Sequence, residues 1–199
     1  MTDVTVRGTA YAALTAVALT FAACGGSQTE GRTRHAVRSA PTMTVERTAG
    51  ERQRRVVEDC STRSEASFPG AFTDPRNVVV GPLALVGAAY TDASTVVEFG
   101  GNKFPLLVRA GHRATVVVAP ETSRVASLGY GPLPEGVELQ PRDGHRVVTF
   151  IACRAGRGPV TFWSGFVITR SPRCVPLDVW VDEDPSPRHA VLRMGVRDC

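Results

Sequence analysis

Residues 146–181 constrain the fold of this chain more than any other stretch. They read R-VVTFIAC-RAGRGP-VTFWSGFVITR-SPR-CVPLDVWV. Three runs rich in Val, Ile, Thr and aromatics are parted by short Gly/Pro/Arg connections, which is the pattern of consecutive strands with tight loops. Both tryptophans, Trp163 and Trp180, lie here, with Cys153 and Cys174. A helical period does not compete anywhere in the stretch.

The rest of the chain from Cys60 onward reads the same way. Residues 77–90 predict a strand that Gly81-Pro82 interrupts. Residues 95–99 (TVVEF) predict a short strand and 100–103 a turn. Residues 104–119 predict a hairpin turning at Gly111-His112, with Gly111 at positive φ. Residues 123–130, 147–153, 160–169, 174–181 and 188–199 complete the set, while 51–59 suggest one or two helical turns. The 67–72 loop holds two anchoring aromatics, Phe68 and Phe72. In the last hairpin Val175, Leu177, Val179 and Val181 share one face, and Ala190, Leu192, Met194 and Val196 share a face of the partner strand. The expected fold is all-β: a disulfide-bonded antiparallel β-sandwich of about 8–10 short strands, because turns recur every 8–12 residues. A domain of this length buries a core without a metal staple.

The chain has 199 residues and a net charge of +4. The placement of that charge matters more than its size. Seven arginines and three glutamates lie between Gly25 and Arg55, in a polar segment with no periodic apolar face. Such a segment buries too little surface to offset ordering entropy. It predicts a flexible basic tether able to touch anionic lipid or a polyanionic wall polymer. Ahead of it, residues 9–23 form an apolar run too short for a membrane-spanning helix and suited to a signal peptide. Cleavage by an ordinary signal peptidase after Ala23 would set bulky Phe21 where a small residue is required. Phe21-Ala22-Ala23-Cys24 instead resembles the lipobox of bacterial lipoproteins, with Phe in place of the usual Leu and a weak n-region of Arg7 offset by Asp3. That resemblance implies that Cys24 is lipidated and becomes the first residue of the mature protein. The expected organisation is therefore a lipoprotein signal peptide (1–23), a tether (24–58) and a β-sandwich domain (59–199). The expected location is the extracytoplasmic face of the cell membrane. In strand count and turn spacing the domain is similar to immunoglobulin-like extracytoplasmic domains. It also resembles an uncharacterised class of bacterial lipoprotein domains that end in a C-V-P-L-D-V strand and a final Cys; this resemblance implies no activity.

With Cys24 lipidated, Cys60, Cys153, Cys174 and Cys199 remain. Four cysteines outside the cytoplasm predict two disulfides, with three pairings open. A meander of 147–153, 160–169 and 174–181 would hold Cys153 and Cys174 at opposite sheet edges, about 30 Å apart. A disulfide needs Cα atoms within about 7 Å. The preferred pairing is thus Cys60–Cys153 with Cys174–Cys199, the latter two sharing outward parity. Zinc is disfavoured because no C-x₂₋₄-C pair exists.

Candidate chemistry is sparse. His35 lies in the tether. His112 and His145 occur in similar A-G-H-R and D-G-H-R settings and read as turn residues at strand starts. Asp143 and His145, with a remote partner, are the candidates for an envelope enzyme with a dispersed active site. Asp178, Asp182, Glu183 and Asp184 crowd one loop that offers oxygen ligands to calcium, as in a cation-stabilised structural module. The spacing of Cys174, the histidines and Met194 does not match a blue-copper site. Phe162, Trp163 and Phe166 could offer a stacking surface, although strand aromatics are more often core. No nucleophile elbow, metalloprotease helix, phosphate loop or EF-hand loop is present. The reading is a lipid-anchored, non-catalytic binding or envelope-accessory module. No cofactor, metal or nucleic-acid partner is expected, and the ligand is not specified.

Overall fold

The computed structural model describes residues 56–154, 156 and 158–199. The expected signal peptide, Cys24 and the expected tether through residue 55 lie outside the described residues. The fold is an all-β, sandwich-like arrangement of three sheets. The largest has five strands in the order β1 (Val56–Glu58), β8 (Val147–Ile151), β6 (Arg113–Val118), β11 (Arg173–Val181) and β12 (Arg188–Met194). A four-stranded sheet joins β2 (Val78–Val80), β3 (Leu83–Leu85), β5 (Leu106–Arg109) and β9 (Val160–Trp163). A three-stranded sheet sets β10 (Phe166–Thr169) between β4 (Gly101–Lys103) and β7 (Ala126–Gly129). Strand pairs are antiparallel except β1, which runs parallel to β8.

One apolar core draws on all three sheets. Its centre is aromatic: the Phe150 ring lies 5.2 Å from Tyr130 and 5.3 Å from Trp163. Edge-to-face and tilted packing suits the ring quadrupoles. The polar tips are satisfied. Tyr130 donates its hydroxyl to the Phe104 carbonyl at 2.6 Å, and burial pushes its pKa up. The Trp163 indole N–H reaches the Asp59 carbonyl at 3.1 Å and so ties the segment before Cys60 to the core.

The predicted parity of the last hairpin holds as far as Met194; β12 ends there, and Val196, past Gly195 at φ 74°, is not part of the strand. Val175, Leu177, Val179 and Val181 are buried, as are Leu192 and Met194, and Leu177 pairs with Ala190. Strand β11 tolerates Pro176 although it is paired on both sides. The Pro176 carbonyl faces β6 and accepts from Ala119. Its missing N–H therefore falls on the side where β6 has already ended at Val118.

Several expectations are overturned. Residues 95–99 are not a strand: Ala93–Phe99 is helix α1, because Gly100 takes the left-handed C-cap conformation (φ 65°) and its N–H closes onto the Val96 carbonyl. The β-branched pair Val96-Val97 is a weak prior that this cap outweighs. Only Val96 of the helix is buried. Residues 101–103 are strand β4, not a turn. Residues 56–58 are strand β1 and not part of a helical turn, so the β structure begins ahead of Asp59. Gly111 has the expected positive φ of 81°. The segments it joins, β5 and β6, nevertheless lie in different sheets, so no hairpin forms there.

The meander fails as well. Residues 160–169 are two strands, not one. The chain leaves the four-stranded sheet at Ser164-Gly165 and enters the three-stranded one. Gly165 lies against the Tyr130 ring, where any Cβ would collide with it, and its carbonyl accepts from Phe104 at 3.0 Å. Strand β8 pairs with β6 and β1, never with β9.

Candidate functional site

The strands of the five-stranded sheet alternate, so its second face is set by the residues that do not enter the core. Register aligns them in rows. Arg113 and Ile151 lie opposite each other, with Asp182 just past the end of β11. Trp180, Thr115, Thr149 and Val57 form the next row. His189, Asp178, Val117 and Val147 form the third. Trp180 is 40% exposed, against 1% for Trp163. The first two rows, with Val117 and Val147 of the third, line an open groove of about 550 Å³, and Thr115 and Thr149 exchange a hydroxyl hydrogen bond of 2.9 Å along its floor.

Asp182 organises one end. It is the only non-glycine among the described residues with positive φ, at 48°, a conformation Asp adopts at small cost. The turn lets its carboxylate reach back over β6. It accepts from the Arg113 amide at 2.8 Å and from His112 Nδ1 at 2.7 Å. An ionised carboxylate only accepts, so the imidazole donates through Nδ1. The Arg113 guanidinium closes the loop on the Asp182 carbonyl at 3.1 Å. The Arg113 amide first, then His112, holds the Asp182 pKa below the usual carboxylate range. In the third row His189 Nδ1 meets Asp178 at 2.7 Å. Beyond Asp182 a second depression of about 570 Å³ takes in His112, Arg154 and Glu183.

The predicted site residues are dispersed. Cys60 and Cys153 are disulfide-bonded with Cα atoms 4.9 Å apart, and Cys174 and Cys199 with Cα atoms 5.8 Å apart. The preferred pairing is therefore present although the meander that argued for it is not. Asp143 accepts from the Gln140 amide at 2.8 Å, while His145 Nε2 lies 3.0 Å from the Pro132 carbonyl; each serves its own loop. The acidic loop is divided among different partners: Asp178 to His189, Asp182 to His112 and the Arg113 amide, Asp184 to Arg188. Among the described residues no three His, Cys, Asp or Glu side chains gather into a metal-holding group. Trp163 is core. Phe162 packs on Phe68 at 4.9 Å, and Phe72 carries the Arg109 guanidinium 4.1 Å above its ring. The sequence reading missed Trp180 with Thr115 and Thr149 as a surface. The signal was available: inward Val179 and Val181 place Trp180 outward.

No protein-family model matches the chain, and no curated protein is significantly similar to it.

Proposed function

We propose that this protein is a lipid-anchored, non-catalytic binding module on the extracytoplasmic side of the membrane, tethered through Cys24. The observation that carries the reading is the outer face of the five-stranded sheet. It is a rigid surface with an exposed tryptophan and polar side chains already held in hydrogen bonds. Such preset groups lose little entropy on meeting a ligand. The two cysteine pairs favour an oxidising compartment. The residues considered for catalysis, Asp143 and His145, engage separate loop carbonyl and amide groups, which favours binding over proton transfer. Stable anchoring requires more than one acyl chain, as a lipidated Cys24 would supply.

Membrane fractionation tests the anchor. Wild-type protein, expressed in a bacterium that processes lipoproteins, stays with membranes through an alkaline wash, and Cys24→Ala moves to the soluble fraction. A Cys24→Ala protein that remains membrane-bound after the wash would show the lipid-anchor reading to be wrong.

A further inference from the structure

We propose that the Trp180 face binds an uncharged glycan chain, one pyranose ring stacking on the indole while its hydroxyl edge meets Thr115, Thr149, Arg113 and Asp182. The inference rests on the binding-module reading and names its ligand class.

Three observations carry it. The first is the indole itself. Trp180 is 40% exposed and pairs with Thr115 of β6, one residue past the point where β12 stops pairing with β11, so the ring stands on the body of the sheet. It is the one large aromatic among the outward residues of these strands. The groove around it mixes the apolar side chains of Val57, Val117, Val147 and Ile151 with Thr115, Thr149, Arg113 and Asp182. It suits a ligand that is apolar on one face and hydroxylated at its rim.

The second is the polar surround. Thr115 and Thr149 bond each other at 2.9 Å. That uses one hydroxyl hydrogen and leaves one hydrogen and further lone pairs for a ligand. Asp182 and Arg113 are fixed by their mutual contacts and by His112. A carboxylate and a guanidinium held side by side offer an acceptor and donors to adjacent hydroxyl groups.

The third is charge complementarity. Each carboxylate on the face meets its own cationic or donor partner: Asp182 with Arg113 and His112, Asp178 with His189. No block of one sign is left to attract a polyanion or a polycation. The matching ligand is neutral. The groove is open, and from Asp178 to Asp182 the strand direction spans about 13 Å, room for more than one sugar unit. A chain fits it better than a monosaccharide.

The two tryptophans make the test direct. Trp163 is buried and Trp180 is exposed, so acrylamide quenching of the full-length, detergent-extracted protein reports mainly on Trp180. The probes are cellohexaose, maltohexaose and xylohexaose, with hexagalacturonate as the anionic counterpart. At least one neutral hexamer is expected to protect Trp180 saturably. Trp180→Ala is expected to weaken binding of that hexamer, measured by calorimetry, about tenfold, as for the loss of a central aromatic contact. Thr115→Val should weaken it by a smaller factor with an unchanged melting curve. Trp180→Ala bound as tightly as wild type overturns the proposal, as does preference for hexagalacturonate. Protection that grows with protein concentration alone, with a dimer in sedimentation, assigns the face to a second copy and overturns it too. If no neutral hexamer protects Trp180 but a fractionated envelope extract does, the sugar class falls and the binding reading stands. If nothing protects it, both fall.

Discussion

The two tryptophans divide the molecule into regions with different physics. Around Trp163 everything converges. Phe150 packs on it and Tyr130 on Phe150, the Asp59 carbonyl takes its N–H, and Cys153 nearby in the chain is 3% exposed. Around Trp180 lie threonines, exposed aliphatic side chains, the hydrogen-bonded Asp182 and an open groove. The disulfides divide the same way. Cys60–Cys153 links the first described segment to β8 at the edge of the core, whereas Cys174 lies on the outward side of β11 and Cys199 is exposed. Stability is thus expected to reside in the first region and recognition in the second. Substitutions that confuse the two roles would break the comparison.

The bridges should give the largest effects. Cys60–Cys153 closes 93 residues and Cys174–Cys199 closes 25. Loop entropy assigns about 4–5 and about 3–4 kcal/mol to loops of those lengths. Replacing the first pair by alanine should lower the denaturation midpoint more than replacing the second, as followed by circular dichroism in denaturant. Equal effects would mean that the interior bridge is no more important than the surface one.

The tryptophans come next. Trp163→Ala should cost about 3–5 kcal/mol, as large aromatic truncations in a core do. Trp180→Ala should stay within about 0.5 kcal/mol, the range of exposed positions. Comparable losses in thermal melts would show that the outer face supports the fold. A smaller probe sharpens the point: Tyr130→Phe keeps the ring but leaves the Phe104 carbonyl buried without its donor. The expected cost is about 1–3 kcal/mol.

The interior was the more legible region in the sequence, and the reason is period. Val175, Leu177, Val179 and Val181 recur at every second position, with Pro176, Asp178 and Trp180 between them, so parity separates core from surface. Pairing between strands has no such local signature. In 160–169 the apolar content runs on through Ser164-Gly165, and nothing short of the Tyr130 ring against Gly165 says that the chain changes sheets there. Helix α1 was hidden for a related reason. Its residues favour strands, and the feature that decides, Gly100 as a left-handed cap, also fits a turn after a strand. The disulfide pairing was reached through a wrong strand order. It came out right because Cys153 follows the end of β8 while Cys174 lies in β11, and β6 separates those two strands in the five-stranded sheet. At the candidate surface, the acidic residues were visible as a group; Asp178 with His189 and Asp184 with Arg188 are partners within the last hairpin, but the partnership of Asp182 with His112 and Arg113 depends on contacts between strands distant in sequence. The pair His112 and Asp182 lies 70 residues apart.

The smallest predicted effect tests whether the Asp182 end of the outer face is electrostatically set. The Asp182 carboxyl is held below its ordinary pKa by the Arg113 amide and by His112. A folded-state pKa below the unfolded one contributes stability above the unfolded value, about 3.9, and loses it as pH falls through the folded one. The side chain is 43% exposed, so solvent screening keeps the contribution under about 1 kcal/mol. Asp182→Asn is the informative change. Asn also tolerates positive φ, and its amide oxygen still accepts from Arg113, so shape and backbone survive while the charge goes. Wild type should exceed Asp182→Asn by a constant margin from neutral pH down to about pH 4, and the margin should close in stronger acid. High salt should shrink the margin at neutral pH, because an exposed pair is screened. A margin that persists below the folded-state titration would mean that hydrogen-bond geometry, not charge, holds this end of the groove. In that case Arg113 and His112 position a neutral acceptor, and Asp182→Asn should leave recognition on the Trp180 face unchanged.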